Sequence, residues 1–383
     1  MTIPLSAPSL NGNELNYIKQ CIETGWISSA GQFVSDFEGS VKKYVGSKNA
    51  IACMNGTAAL QTCLNVLNVS SGDIIITTNL TFVATLNAIS YTGAKPILFD
   101  IDEQTWQIDL DLVHEWLADN TYIKEVNGLN YSYTKKSNSR IAAIVPVHVL
   151  GGLVDIEKLI FISKKFYIPI VEDSTEALGS TFKSKSAGSF GELGAFSFNG
   201  NKIISTGGGG MIVTNNEKLA QRAKHLTTTA KTDPLDYYHD EVGYNFRLVN
   251  ILAAVGVAQM EYISKILEKK RRIDSLYREG LGENSDFIFQ KHIKDSKPNC
   301  WLFTFRAPKM RSLLNFLNSK GIQSRPFWTP MNRLPMHSNI QYINNFDVTG
   351  RVFSECISIP SSSNLTEGQQ ADVLSSIKKF YKK

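Results

Sequence analysis

A large α/β domain on a mostly parallel seven-stranded sheet, followed by a smaller α/β domain, is the fold class expected of this 383-residue chain. Three features point to it. Between residues 50 and 213, short runs that are apolar throughout alternate with longer amphipathic ones, the pattern of strands buried on both faces and connected by helices. One long helical stretch, residues 251–280, then interrupts the alternation. Beyond it strand and helix patterns resume on a smaller scale, so residues 1–250 are expected to form the large domain and 251–383 the small one.

The seven strands are expected at 50–54, 73–77, 95–100, 141–147, 168–172, 195–198 and 211–214. Helical periodicity lies between several of them, at 57–67, 81–91, 109–120 and 155–166. Residues 121–140 are polar, rich in asparagine and tyrosine and lack a helical period, which fits a surface hairpin better than a binding lid. In the connecting helix, Lys269-Lys270-Arg271-Arg272 reads as an exposed charged face. The small domain is expected to follow as a strand (301–307), a helix (311–320), a loop rich in proline and tryptophan (325–335) and a final helix from Glu367.

Composition narrows the classes of function. A net charge of +5, spread along the chain, suits phosphorylated ligands in a weak positive field and offers no nucleic-acid patch. Five cysteines form neither a CxxC pair nor a metal-ligand spacing, and the six histidines are scattered, so no metal is expected. No apolar stretch approaches a membrane span, and a cytoplasmic location is expected.

Chemistry concentrates in two segments. Asp173 follows the apolar run 168–171 and Glu172, at the C-terminal end of a strand, where ligands gather in parallel sheets. Lys202 lies in the glycine-rich stretch SFNGNKIISTGGGG (197–210). A strand-end carboxylate followed by a lysine in such a turn suits pyridoxal phosphate: the amine attaches to the cofactor aldehyde, and the aspartate keeps the pyridine nitrogen protonated. Ser197 is placed to bond the phosphate, or is a buried serine satisfied by backbone. Glu176 faces either the ring's phenolic oxygen and the substrate or the protein surface. Asp173 itself could instead cap the turn that follows it.

Asn55-Gly56-Thr57-Ala58-Ala59-Leu60 joins a strand to a helix, so Gly56 and Thr57 are candidates for an anion cradle, or the segment is simply a helix start. Phe82, on the same sheet edge, could stack on a pyridine face or belong to the core. His148 reads as a satisfied strand-end histidine. Gly207–Gly210 lacks the order of a P-loop and precedes a strand, so close backbone packing is its better account. Asn245, in Gly243-Tyr244-Asn245-Phe246-Arg247, lies between the domains and is placed to serve a neighbouring subunit.

Together these segments resemble the DegT-type, fold-type-I, pyridoxal phosphate-dependent sugar aminotransferases, nearly end to end. The motifs are Gly25-Trp26-Ile27-Ser28-Ser29, residues 55–60, Pro146-Val147-His148, residues 172–180, 197–210 and 243–248, and the loop 325–335. The stretches AKHLTTTAK (223–231) and HDEVGYNFR (239–247) resemble a narrower group that aminates nucleotide-linked 4-keto-6-deoxy-N-acetylhexosamines toward legionaminic acid or bacillosamine. The resemblance implies an aspartate-aminotransferase-like fold and a homodimer with shared active sites. Lys202 would carry the cofactor, Asp173 would face the pyridine nitrogen and Phe82 the ring. Gly56, Thr57, Ser197 and the partner subunit's Asn245 would surround the phosphate. Glutamate would be the amino donor, leaving 2-oxoglutarate and pyridoxamine phosphate, and a UDP-linked 4-ketosugar the acceptor. Trp26, Arg325 and Trp328 are candidates for the sugar-nucleotide pocket. Two positions depart from the family pattern, Glu176 where relatives often carry Gln or His and Asn332 where many carry His. A sugar dehydratase of the same fold commonly has histidine at the lysine position, so Lys202 argues against it. A non-catalytic regulator would lack a cofactor contact or carry a DNA-binding appendage.

Overall fold

The computed structural model describes residues 2–233, 235–282 and 286–382. Its main sheet contains all seven anticipated strands: β1 (Asn49–Cys53), β2 (Ile74–Thr78), β3 (Lys95–Phe99), β4 (Ile141–Val145), β5 (Val171–Asp173), β6 (Leu193–Ser197) and β7 (Gly210–Thr214). They lie in the order β1-β7-β6-β5-β4-β2-β3, with β4 and β5 joined through the parallel bridges Ile144–Ile170 and Val147–Asp173. Only β7 runs antiparallel to its neighbours. An eighth strand, Tyr342–Ile343, arrives from far along the chain and pairs in parallel with β3. Sequence reasoning missed it because two residues carry no period.

Helices α1 (Glu14–Thr24) and α2 (Gln32–Val45) precede the sheet, and α3 (Gly56–Val66), α4 (Ala84–Tyr91), α5 (Leu110–Asn120), α6 (Ile156–Phe166) and α7 (Glu217–Thr227) connect or cover its strands. Their starts are written locally. Asn55, Asp109, Asp155 and Asn216 each accept a backbone N–H of the following first turn, satisfying donors that have no intrahelical partner. The strands are almost wholly buried because apolar clusters cover both faces of the sheet: one around Cys53, Leu60 and Leu64, another around Phe37, Phe196 and Phe198. The 121–140 insertion is the expected hairpin, Thr121–Val126 with Leu129–Thr134. Arg140 ties its end to the sheet through a two-point contact with Asp73 at 2.6 and 3.0 Å.

A 32-residue helix, α8 (Asn250–Leu281), packs on α1 and α2 and leads to a second sheet of β8 (Ile288–Phe289), β9 (Phe303–Arg306), β10 (Arg325–Pro326) and β11 (Cys356–Ile359). Helices α9 (Met310–Ser319), α10 (Val348–Glu355) and α11 (Glu367–Tyr381) complete this part, whose cluster gathers Phe303, Phe305, Leu313, Ile357 and Val373. The N-terminal strand segment joins it: Ile3 bridges Ile322.

The charge run on α8 is not one exposed face. Lys269 and Arg272 are exposed, but Lys270 is buried, and its Nζ donates to the carbonyls of Trp301 (2.7 Å) and Ser361 (2.5 Å). Arg271, half-buried, donates to the Pro298 and Gly179 carbonyls. Burial pulls the Lys270 amine down to about 7. It stays in place because it satisfies two carbonyls that no other side chain reaches among the described residues. Lys270→Met should therefore cost about 2–4 kcal/mol of unfolding free energy at pH 8, the combined penalty of two orphaned acceptors. Urea denaturation of both proteins measures it; equal midpoints would show that other donors take over.

Candidate active site

The C-terminal ends of β1, β2, β5 and β6 meet along one edge of the main sheet, and a cavity of about 270 Å³ opens there. Asn55, Gly56 and Thr57 line it from β1 and α3, Thr81, Phe82 and Thr85 from the approach to α4, and Asp173, Thr175 and Glu176 from the turn after β5. Ser197, Asn199, Asn201 and Lys202 follow β6, and Trp301 and Trp328 reach in from beyond α8.

Asp173 is 3% exposed and ends β5. Its Oδ2 accepts the Thr85 hydroxyl at 2.8 Å; Thr85 in turn lies 2.8 Å from Thr81 Oγ1. With the Thr85 proton committed to the carboxylate, Thr81 donates to Thr85. Oδ1 accepts the Thr175 N–H at 3.2 Å. Asp173 thus caps its turn and also lines the cavity.

Its neighbour Glu172 points to the other face, fully buried, and is a structural carboxylate. It accepts N–H groups of Gly188, Phe190 and Gly191 at 2.6–2.8 Å and lies 3.0 Å from His148 Nε2. His148 Nδ1 accepts the Val154 N–H, which leaves Nε2 as donor; the histidine is a satisfied strand-end residue.

Glu176 is in the cavity wall, 3% exposed, and does not face the surface. One oxygen accepts the Leu150 N–H at 2.7 Å, a bond aimed by the left-handed backbone of Leu150 (φ 59°). Burial pushes the Glu176 carboxyl up to about 7, against the pull of Lys202 and the Leu150 N–H. Lys202 remains partly accessible through the cavity mouth, yet the protein packed around its amine lowers its pKa, while Glu176 and Asp173 act the other way. Nζ lies 4.1 Å from the centre of the Trp301 ring. Among the described residues it has no hydrogen-bonded or ion-paired partner.

The start of α3 fits a phosphate. Asn55 caps it through Ala58 N–H at 2.8 Å, leaving the Gly56 and Thr57 N–H groups ahead of any intrahelical acceptor and on the cavity wall. Gly56 allows the approach, since a Cβ there would stand 2.7 Å from Ser197 Cβ. Gly210 performs the packing expected of the four-glycine run, because a Cβ would meet the Asn55 carbonyl at 2.4 Å. An unpartnered amine, a buried carboxylate and a helix start beside Ser197 are the donor set that pyridoxal phosphate requires, and the residues present fit it.

Phe82, 53% exposed, stands at the mouth, edge-on to Trp328 at 6.4 Å. Three anticipated residues lie elsewhere in the single chain. Trp26 is 56% exposed and outside the cavity wall, its carbonyl held by Asn250. Arg325 is exposed on β10 and bonds the Ser324 carbonyl. Asn245 is exposed, in a bridge with Thr228. Asn332 is engaged with Asn79. Sequence reasoning did not single out Thr81, Thr85 or Trp301; each lies in an unremarkable local pattern, and only the fold brings them in. One histidine lies among carboxylates: His225 is beside Asp240 and Glu241, but Asp240 bonds the histidine and Glu241 pairs with Arg222.

The DegT/DnrJ/EryC1/StrS aminotransferase family matches residues 8–378. The chain belongs to this family. Its members depend on pyridoxal phosphate. The GDP-perosamine synthase of Escherichia coli O157:H7 is 34% identical over 99% of this chain and 98% of its own. That of Caulobacter vibrioides is 32% identical over 98% and 97%. The crystal structure of PseC, a Helicobacter pylori aminotransferase, covers both chains completely with a TM-score of 0.88 at 24% identity, which establishes the fold-type-I architecture.

The raised Glu176 carboxyl has a stability signature. A carboxyl held above its unfolded value binds more protons folded than unfolded. Its contribution is therefore fully present below about pH 4 and is lost as pH rises to about 7. Glu176→Gln keeps the acceptor for Leu150 and removes that titration. Across this window the variant should gain on the parent by up to about 2–3 kcal/mol, then hold level at higher pH. Urea unfolding of the cofactor-free chains from pH 4 to 8 checks it, and a difference independent of pH would contradict it.

Proposed function

We propose that this aminotransferase moves an amino group from glutamate to the C4 ketone of a nucleotide-linked 4-keto-6-deoxy sugar, in the making of a bacterial surface glycan. The observation that carries the chemistry is the unpartnered Lys202 amine, enclosed with Asp173 and Glu176 beside the start of α3. When bound, pyridoxal phosphate supplies an aldehyde carbon that accepts amines and a conjugated ring that takes up the electron pair left by a departing α-proton.

The chain's own residues would do the rest. Gly56 and Thr57 N–H groups, with the Thr57 and Ser197 hydroxyls, hold the phosphate oxygens at the positive end of α3. Asp173, kept ionised-side inward by Thr85 and Thr175, supports a positive charge at the base of the cavity. Phe82 covers one face of the ring. Lys202 Nζ, its pKa lowered by burial, would take the α-proton of glutamate as a neutral amine, hold it as the ammonium and give it back within the site, with the reverse order in the second half. Asn245 would complete the phosphate site from a second copy. The dimer reading is supported by its exposure and by apolar side chains left exposed on neighbouring segments, among them Met54, Phe82 and Tyr238.

Two observations bear on the sugar. The segments 223–231 and 239–247 favour a UDP-linked N-acetylhexosamine, while curated relatives at 32–34% identity are named for a GDP-linked sugar. Purified enzyme, glutamate and a panel of UDP-, GDP- and dTDP-linked 4-ketosugars decide between them, with the product's C4 configuration read from NMR coupling. Borohydride reduction and peptide mapping should place a pyridoxyl adduct on Lys202. Lys202→Ala should retain pyridoxamine phosphate while turnover falls by more than the roughly two to four orders of magnitude of a lost acid–base group. Near-normal turnover in that variant would defeat the assignment.

A further inference from the structure

Trp301, in the cavity wall, is pinned through both its backbone and its side chain. Its N–H donates to Asn299 Oδ1 (3.0 Å), its carbonyl accepts from the buried Lys270 amine, and its indole Nε1 donates to the Asn201 carbonyl (2.6 Å). Asn299, in turn, donates to the carbonyls of Glu176 and Leu178. The indole is 2% exposed and stacks on Trp328, centroids 6.3 Å apart at 24°. Lys202 Nζ lies over the ring as well, 4.1 Å from its centre. The bond to Asn201 also fixes the backbone one residue before Lys202. Trp301 also packs into the buried cluster with Phe327 and Trp328, and neither Glu176 nor Asp173 forms an ion pair with Lys202.

We propose that Trp301 is a positioning residue for Lys202, its indole face holding the ammonium whenever the amine is free. This rests on the reading of Lys202 as the reacting amine. A carboxylate in hydrogen-bond contact would lock Nζ in one direction. A π-face attracts the cation without a directional acceptor, so the amine stays available to swing toward a substrate carbon. The ring also offsets part of the cost of enclosing the charge, which keeps enough ammonium present to return a proton, while burial keeps enough neutral amine to remove one. The groups that face Lys202 from the turn after β5 are Asp173 and Glu176, both favouring the ammonium. On the far side, the Lys270 amine bonds the Trp301 carbonyl.

The test reads the Lys202 titration directly, in the full-length chain without cofactor. Trace acetylation between pH 6 and 10.5, with the Lys202 peptide quantified by mass spectrometry, gives the midpoint. Trp301→Leu should lower it by about one unit, tenfold more neutral amine at a given pH, and Trp301→Phe by less. Because the leucine variant could fail to fold, mono-, di- and trifluorotryptophan are also placed at position 301, which weakens the ring's negative face and leaves its shape nearly unchanged. A stepwise fall of the midpoint with fluorine count is expected. A flat series overturns the proposal, as does a leucine variant that folds with an unshifted midpoint. Borohydride mapping that misses Lys202 would instead remove its catalytic role, and the labelling result would stand apart from it.

Discussion

The enclosure of one lysine amine with two carboxylates, at the edge of a sheet buried on both faces, is the constraint around which this structure is organised. Taking charges out of water costs several kcal/mol each unless partners or hydrogen bonds compensate. Asp173 is compensated by Thr85 and Thr175, and Glu176 in part by Leu150. Lys202 has only the ring of Trp301 and the field of the two carboxylates. The least compensated of the three is the amine, and burial that lowers its pKa favours the neutral, nucleophilic form.

The supporting structure is rigid where it must be. Glu172 collects three backbone N–H groups of the 188–191 loop and the His148 ring, so the strand end carrying Asp173 is held from behind. Gly194 lies against Gly188, where a Cβ would meet the Gly188 carbonyl at 2.3 Å, and this lets that loop lie flat on β6. These residues do not touch the cavity, yet they set the height of Asp173 relative to Ser197, because Asp173 and Ala195 are register partners in the β5–β6 pair. A shift of one residue in that register would turn Asp173 to the opposite face and bring Glu172 inward.

Much of this was legible in the chain because the signals are local. Apolar runs of four to six residues mark strands that need no solvent-facing side, and Asn55, Asp109 and Asp155 mark helix starts by a bond only three residues long. Asp173, Lys202, Gly56 and Ser197 announced themselves through strand ends and a glycine-rich turn, and the structure brings them to one cavity. What escaped depends on distance along the chain. The Tyr342–Ile343 edge strand is specified by β3, some 240 residues earlier, and not by its own two side chains. The run Lys269–Arg272 looked uniformly solvated because charge count is visible in sequence, whereas the two carbonyls that receive Lys270 are not. Trp26, Arg325 and Asn245 lie outside the cavity of the single chain, and a second copy is what could bring them to it.

The origin of the cavity's walls carries one more consequence. Four lining segments belong to the sheet and its first helices, but the fifth, Trp301 with Trp328, comes from beyond α8. The link is short: Lys270 on α8 grips the Trp301 carbonyl, and the indole grips the carbonyl before Lys202. Any displacement of the C-terminal sheet relative to the main one would therefore bear on Lys202 through two hydrogen bonds and a ring face. An active site assembled wholly on the main sheet would be insulated from such movement. Here Trp328, Trp301 and Lys202 form one contiguous cluster, so the path from Trp328 to Lys202 does not pass through the sheet.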